Sequence, residues 1–310
     1  MRLIKDTNID FMKQMRLGFY LSAVIILIGL VSLIVNKGPK LSIDFKGGTM
    51  IAVKFTEDVD ITQVRASLSA VNVDGIFYDF STGEIKNFGD ESTISVRLSQ
   101  KGNNEENLAQ QIVDHLYLSF PDIVPQESQD FILSIENVGP KVGAELSGKA
   151  IMSIITALIL ILIYISIRFE FKFALGAIAA LTHDVLITLG IFSLLGYEIS
   201  LPIIAAFLTI VGYSLNDTIV IFDRIRENVK IKRREAYTGI VNDSINASLS
   251  RTVITSMTTF FVVFVLWIAG GEVIHNFAFA MIIGVVVGTY SSIFIASPIV
   301  VLLHQGQSGK

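Results

Sequence analysis

The chain has 310 residues, of which 52% are hydrophobic and 17% are charged, and its formal net charge is −4. It contains no cysteine, which excludes both a disulfide framework and a metal site built on thiolates. A soluble protein of this length would suggest about two domains with apolar residues spread at helix or strand period, and the distribution here is different.

The apolar residues are concentrated in six runs of the length that crosses a bilayer, which is about 20 residues. The sequence therefore predicts a polytopic α-helical membrane protein with six transmembrane helices. The predicted spans are Leu17–Val35, Ala150–Ile167, Phe173–Leu195, Leu201–Phe222, Val253–Ala269 and Phe277–Leu303.

Basic residues predict the orientation of these spans. They occur in the arm formed by residues 1–16, in the turn that carries Arg168 and Lys172, and in a predicted loop over residues 223–250. The short loops at residues 196–200 and 270–276 contain no Lys or Arg. Because positive charge is retained on the cytoplasmic side, we expect both termini, including the tail 304–310, in the cytoplasm and residues 36–149 outside.

Residues 36–149 are predicted to form one ferredoxin-like α+β extracytoplasmic domain. Between Asn36 and Gly148 there are 17 acidic and nine basic residues, a formal charge of −8, which argues against binding nucleic acid. Strand-like and helix-like patterns follow one another in the βαββαβ order of that fold. The predicted strands are Met50–Phe55, Gly75–Phe80, Ser92–Leu98 and Gln129–Glu136, with helices following Asp60 or Thr62 and Asn104.

Motifs for hydrolytic chemistry are absent or incomplete. Gly306-Gln307-Ser308-Gly309-Lys310 has the wrong spacing for a Walker A loop, and no His-Glu-x-x-His is present. Leu215 stands where an intramembrane serine protease needs Gly, and the surroundings of Asp184 and Asp217 lack the aspartyl-protease motifs. We therefore expect no enzymatic activity, no cofactor and no metal.

Polar residues inside the predicted spans are the best candidates for function. Asp184 lies beside His183 near the middle of the third span, and Asp217 lies beside Asn216 in the fourth. Arg251 stands at the cytoplasmic start of the fifth span. A charge in hydrocarbon costs about 2.5–3.5 kcal/mol on insertion scales, so acids in spans usually have a function.

Two interpretations of this polar set remain open. Lost water favours the neutral form of a carboxyl group and a nearby arginine favours the charged form, so an acid that meets and leaves Arg251 would carry protons. Alternatively, the groups join helices, although interhelical hydrogen bonds average only about 0.6 kcal/mol. Arg251 itself has the alternative of extending to the membrane surface.

Several motifs resemble those of the SecD and SecF export proteins. Ile43-Asp44-Phe45-Lys46-Gly47-Gly48-Thr49 resembles the Asp-Phe-x-Gly-Gly-Thr motif near their first span, so Asp44, Phe45, Gly47, Gly48 and Thr49 are its matching residues. Gly212-Tyr213-Ser214-Leu215-Asn216-Asp217-Thr218 and the run Phe222–Asn228 resemble the SecF signature. Val138-Gly139-Pro140, His183-Asp184-Val185 and Leu249-Ser250-Arg251-Thr252 match in order.

The resemblance implies a half-transporter of the resistance–nodulation–division superfamily in the bacterial cytoplasmic (inner) membrane. It implies pairing with SecD beside the SecYEG translocon, with a YidC-type insertase as a further partner and a translocating preprotein as cargo. It also implies that Asp217 carries protons with Arg251 as its partner, and that Asn216, His183 and Asp184 support them.

Six spans with one large outer domain make half of a pseudo-symmetric transporter, which independently predicts a second, partner half. Two other functions remain as alternatives to proton-driven export. One is a scaffold of the translocon that transports nothing or recruits insertase. The other is a small-molecule exporter of the same superfamily, for which an outer domain of about 110 residues is small.

Overall fold

The computed structural model describes residues 7–73, 75–98 and 105–308. The chain divides into two compact units. We call residues up to Lys40 together with those from Ala150 onward the membrane unit, and Leu41–Lys149 the sheet domain.

Six helices among the described residues are long and apolar enough to cross a membrane, as predicted. The shortest, with 21 residues, spans about 31 Å at the α-helical rise, close to the thickness of the hydrocarbon core. The helices are α1 Met15–Val35, α6 Pro140–Arg168, α7 Phe171–Leu195, α8 Leu201–Ile231, α9 Tyr237–Ala269 and, in the last span, α10 Gly271–Ser291, a π-helical turn Ser292–Ala296 and α11 Ser297–Ser308.

The predicted cytoplasmic loop at residues 223–250 is mostly helical. Helix α8 continues to Ile231 and α9 begins at Tyr237, so only a short connection separates the two helices. Ile225 and Ile245 lie on the inner faces of these extensions and are buried, which explains why the helices continue beyond the apolar runs. Lys232, which contacts the carboxylates of Glu235 and Asp243, lies at the connection.

The π-helical turn interrupts the last span beside Pro298. Proline has no N–H and its ring clashes with the carbonyl four residues earlier, so a regular α-helix cannot continue through it. The wider turn absorbs this defect, and the Ser297 hydroxyl donates to the Ser292 carbonyl at 2.8 Å. The turn follows directly after Tyr290 and Ser291, two residues of the site described below.

The sheet domain has the predicted ferredoxin-like architecture. Its four antiparallel strands lie side by side in an order that matches that fold once the strands are counted within the sheet. The order is β4 (Glu84–Phe88), β5 (Asp90–Leu98), β1 (Gly48–Lys54) and β6 (Ile132–Val138). Helices α3 (Ile61–Ser67) and α4 (Glu105–Ser119) contribute Val64, Ile112 and Leu116 to the core with Phe55 and Phe131. The bounds are α2 Ile43–Lys46, β1 Gly48–Lys54, α3 Ile61–Ser67, a 3-10 turn Leu68–Ala70, β4 Glu84–Phe88, β5 Asp90–Leu98, α4 Glu105–Ser119, α5 Ser128–Phe131 and β6 Ile132–Val138.

Two strand predictions were wrong in detail. Gly75–Phe80 was expected as the second strand of the sheet, but Ile76–Tyr78 (β3) pairs only with Val71–Val73 (β2) in a separate hairpin. The second strand is Glu84–Phe88, which a pattern of apolar residues does not reveal because Ile85 alone is buried in it. The last strand begins at Ile132, after the short helix α5, rather than at Gln129.

Candidate functional site

The candidate site is a layer of polar side chains inside the membrane unit, which we call the polar layer. It contains the two predicted acids with the histidine beside one of them, and hydroxyl groups from four helices. Its members are Ser22 of α1, His183 and Asp184 of α7, Ser214 and Asp217 of α8, Ser256 of α9, and Thr289, Tyr290 and Ser291 of α10.

Asp184 is fully buried and every polar contact of its carboxylate is made within the protein. Its Oδ1 lies 2.9 Å from His183 Nδ1. Its Oδ2 accepts hydrogen bonds from Ser214 at 2.6 Å and from Ser291 at 2.9 Å. The Thr188 hydroxyl donates to the Asp184 backbone carbonyl at 2.8 Å. This carboxylate therefore joins α7, α8 and α10.

His183 extends the network to α1. Its Nε2 lies 2.9 Å from Ser22 Oγ, and Ser22 Oγ lies 3.1 Å from the Tyr290 hydroxyl. Tyr290 in turn donates to the Gly18 carbonyl of α1 at 2.7 Å. The imidazole and phenol rings stack with their centroids 6.0 Å apart.

Asp217 has a different and sparser environment. Its side chain is 3% exposed, and its Oδ2 accepts one hydrogen bond from Ser256 Oγ at 3.2 Å. Ser256 Oγ also lies 2.7 Å from Thr289 Oγ1, and the Thr289 hydroxyl donates to the Val285 carbonyl at 2.8 Å. This carboxylate is therefore linked to α9 directly and to α10 through one hydroxyl.

Small residues on α10 permit its close approach to α8. A Cβ atom at Gly284 would lie 2.2 Å from Ile210 Cγ1, and one at Gly288 would lie 2.9 Å from Ser214 Cβ. Both distances are shorter than real side-chain contacts allow, so only glycine fits. The glycine at 288 thereby allows Ser214 to occupy the position from which it donates to Asp184.

Arg251 and Asn216 lie outside this buried set. Both side chains are exposed on the surface of the chain, although the sequence predicted an inward-facing path of Asp, His and Arg. Among the described residues no ion pair within 4 Å joins Arg251 to Asp217, although Arg251 is close enough to act electrostatically on that carboxyl group. Ser256, five residues later on α9, is the residue of that helix that contacts the Asp217 carboxylate.

The predicted motif near the first span forms a tight turn in the sheet domain. Ser42 Oγ accepts from the Asp44 N–H at 3.2 Å and contacts Asp44 Oδ2 at 3.0 Å, which starts helix α2. Phe45 is buried, and Thr49 follows in strand β1 with 5% exposure.

The two glycines of this motif are required by geometry. Gly47 has φ 76° and Gly48 has φ 131°, which L-residues with side chains rarely adopt. A Cβ atom at Gly47 would lie 2.8 Å from Pro140 Cα, and one at Gly143 would lie 2.9 Å from the Phe45 carbonyl oxygen. The motif therefore packs directly against the first turn of α6.

Comparison with known protein families agrees with this architecture. The family model for the C-terminal part of the protein export membrane proteins SecD/SecF matches residues 124–306, which is more than half of the chain. The model for the SecD/SecF GG motif matches residues 32–59, which include the Gly47-Gly48 turn.

Full-length relatives decide the family. The chain is 46% identical over 310 residues to the protein translocase subunit SecF of Rhodothermus marinus, covering 98% of this chain and 96% of the relative. It is 45% identical to that of Calditerrivibrio nitroreducens, with 98% and 97% covered. The chain belongs to the SecF family of protein translocase subunits. It is thus a multi-pass membrane protein with a role in protein export.

Solved structures show the same fold in a longer protein. The crystal structure of SecDF from Thermus thermophilus matches with a TM-score of 0.81 and 37% identity, over 97% of this chain and 39% of that chain. A second structure, SecDF in its super-membrane-facing form, matches with a TM-score of 0.68 and 36% identity, over 99% of this chain and 40% of that chain. This SecF-family chain therefore spans about two fifths of each SecDF chain.

Several members of the polar layer were missed by sequence reasoning. Ser22 lies in the first apolar run, and Thr289, Tyr290 and Ser291 lie in the last. Hydroxyl side chains are common in membrane helices, so none of them stands out alone. The available signal was the density of hydroxyl groups in the run from Thr289 to Ser292, of which Ser291 contacts Asp184.

Proposed function

We propose that this chain couples proton movement through the polar layer to late steps of preprotein export, paired with SecD beside the SecYEG channel. The observation that carries the proposal is the burial of Asp217 with few hydrogen-bond partners. This acid is buried within a membrane unit, yet one serine hydroxyl is its only described hydrogen-bond partner. A buried charge with so little compensation is costly, so this group is suited to gaining and losing a proton.

The hydroxyl groups around Asp217 accommodate both of its protonation states. Thr289 donates to the Val285 carbonyl, so a hydrogen between Ser256 and Thr289 comes from Ser256. Ser256 would then accept from a protonated Asp217. When the acid is ionised, Ser256 donates to it instead, and Thr289 turns to donate to Ser256. Rotation of two hydroxyl groups thus follows the loss of one proton.

Arg251 is the proposed partner charge, with Asn216 and the His183-Asp184 pair in support. The side chains of Arg251 and Asn216 are both exposed on the surface of this chain. This exposure leaves Arg251 free to move closer to Asp217 in another conformation of the transporter. Burial of an arginine in the membrane requires an acidic or polar partner. In this scheme proton release from Asp217 accompanies that approach.

Pairing with SecD is supported by the half-transporter architecture and by the SecDF structures, in which about three fifths of the chain lies outside the matched part.

The distribution of basic residues supports a location in the bacterial inner membrane, with both termini in the cytoplasm and the sheet domain outside. The preprotein and a YidC-type insertase complete the proposed set of partners.

The proposal is tested by measuring export of a secreted protein in cells or vesicles that carry Asp217→Asn. Export is measured with and without an imposed proton gradient. Asparagine preserves size and cannot ionise, so we expect assembly with SecD to persist and the gradient-dependent part of export to fall by an order of magnitude or more. Asp223→Asn is the matched control on the same helix, because Asp223 is partly exposed and pairs with Arg168, the last residue of α6.

Unchanged gradient-dependent export by the Asp217→Asn variant would contradict proton coupling and favour the scaffold alternative. Loss of export together with loss of SecD from the purified complex would indicate a structural role for the acid. A small-molecule exporter is tested in the same vesicles by efflux of apolar dyes, for which the proposal expects no dependence on Asp217.

A further inference from the structure

The protons around His183 can be counted when each contact is treated as a hydrogen bond and each hydroxyl group supplies one hydrogen. The Tyr290 hydroxyl has a single hydrogen, which it donates to the Gly18 carbonyl at 2.7 Å. The 3.1 Å contact between Ser22 Oγ and the Tyr290 oxygen is then a hydrogen bond only if Ser22 is the donor. Ser22 therefore has no hydrogen left for His183, and the 2.9 Å contact between them requires His183 Nε2–H to donate to Ser22.

The other side of the imidazole adds a second proton. His183 Nδ1 and Asp184 Oδ1 are 2.9 Å apart, so one hydrogen lies between them, bonded either to the nitrogen or to the oxygen. In both cases the pair holds two protons and has no net charge. Ser214 at 2.6 Å can donate to Oδ2 in both descriptions, and so can Ser291 at 2.9 Å, which lies closer to Oδ2 than to its other acceptor, the Gly288 carbonyl at 3.1 Å.

Burial independently favours this neutral pair. Asp184 is 0% exposed and His183 is 5% exposed, and an isolated net charge in such a site is costly. The titratable side chain that contacts the pair from a neighbouring helix is Tyr290, within the part of the chain that the structure describes. The other acid of the layer, Asp217, binds Ser256 on α9.

We propose that His183 and Asp184 form a second proton-holding site, which Ser22 of α1 and Tyr290 of α10 keep in its doubly protonated form. Ser22 is a positioning residue that acts through His183. The inference rests on the proposed proton-coupled function and assigns part of it to α1, a helix on which the sequence places no acid or histidine within its span.

Loss of one proton from the pair has a mechanical consequence. The proton leaves His183 Nε2 for a water molecule, and the remaining hydrogen stays on Nδ1, from which it is donated to the Asp184 carboxylate. The bare Nε2 then accepts from Ser22, whose hydroxyl must turn away from Tyr290. The Ser22–Tyr290 contact loses its hydrogen, and with it one of the two hydrogen bonds between Tyr290 and α1.

The test is the protonation of His183, observed by nitrogen NMR of the whole chain in lipid with ¹⁵N-labelled histidine. The chain has four histidines, and the signal of His183 is identified as the one that is lost in the His183→Gln variant. We expect a protonated Nε2 at neutral pH in the wild-type chain. A wild-type chain with a proton on Nδ1 and none on Nε2 at that pH would overturn the inference.

Ser22→Ala removes the acceptor of Nε2–H, and we expect the ratio of Nε2-protonated to unprotonated His183 to fall about fivefold at fixed pH, the effect of one typical hydrogen bond. Ser32→Ala is the matched control on the same helix. Ser32 contacts Ser193 of α7 at 2.9 Å in the same manner but does not touch His183. Equal responses to both substitutions would overturn a specific role for Ser22.

The outcomes separate this inference from the function on which it rests. One outcome is a protonated Nε2 that responds to Ser22→Ala, together with export that does not depend on the proton gradient. That outcome would support the second site and contradict proton coupling. Gradient-dependent export that needs Asp217, with Nε2 unprotonated, would do the reverse.

Discussion

In the sheet domain the buried side chains are nearly all apolar, with Ser42, Thr49 and Thr93 as the buried polar residues among those described. In the membrane unit two aspartates and a histidine are buried, while large apolar side chains cover the outer surfaces of α1, α6 and α9. Water drives apolar groups inward in the first case, whereas lipid accepts them on the surface in the second.

Different forces therefore stabilise the interior of each unit. The domain is stabilised by removing apolar area from water around Phe55, Phe131 and their neighbours. The membrane helices gain little from that effect, so close backbone contacts and hydrogen bonds determine their arrangement. The polar layer is thus a determinant of packing as well as a candidate site of function.

The largest effect is expected from opening the core of the domain. Phe131 is fully buried and packs edge to face against Phe55 and Tyr117. Phe131→Ala should lower the free energy of unfolding of the domain by about 3–5 kcal/mol. Hydrogen exchange of the strand amides measures this loss. Leu118→Ala, at a side chain that is 77% exposed on α4, is the control and should change it little.

A smaller effect is expected from one methyl group between α1 and α7. A Cβ atom at Gly190 would lie 2.8 Å from the Cα of Gly29, so Gly190→Ala must push the helices apart. Overpacking of this kind costs about 1–3 kcal/mol. Reversible unfolding in detergent measures it. Gly212→Ala, where nothing lies within 4 Å of the added atom, should be neutral or mildly stabilising, and equal losses would contradict the close-contact model.

Removing one hydroxyl from the polar layer should affect stability less than it affects transport. Ser256 links Asp217 to Thr289, and Ser256→Ala deletes both hydrogen bonds. Interhelical hydrogen bonds in membranes average about 0.6 kcal/mol, so we expect a stability loss of about 1 kcal/mol. Gradient-dependent export should fall several-fold. Thr209→Ala, where the exposed hydroxyl bonds only to its own helix, is the control.

The smallest effect concerns the start of α3 in the domain. The backbone N–H and side chain of Thr62 hydrogen-bond to Asp60 and hold the pKa of that carboxyl below its ordinary value of 3.8. This stabilisation is fully present above pH 3.8 and is lost as the pH falls through the lower pKa of the folded state. Asp60→Asn keeps an N-cap that does not titrate. The melting temperatures of the two chains should therefore converge or cross below pH 3.8, and a constant difference would contradict the assignment.

Much of the architecture was determined by the sequence alone. Six apolar runs predict six spans because hydrocarbon accepts only helices whose backbone groups are satisfied internally. The pattern of the segment between the first two runs predicts the ferredoxin-like order because side chains alternate across a strand and repeat along a helix. The acids at 184 and 217 are evident because a charge is rare in such runs.

The partners of those acids were decided only by the tertiary structure. Ser22 and Ser291 are distant in sequence from Asp184, and nothing in their local context distinguishes them from other hydroxyl residues of the spans. The fold also decided that Ser256 of α9 is the hydrogen-bond partner of Asp217. The edge strand Glu84–Phe88 was likewise found only in the fold, because its pairing with β5 depends on backbone groups that every residue carries.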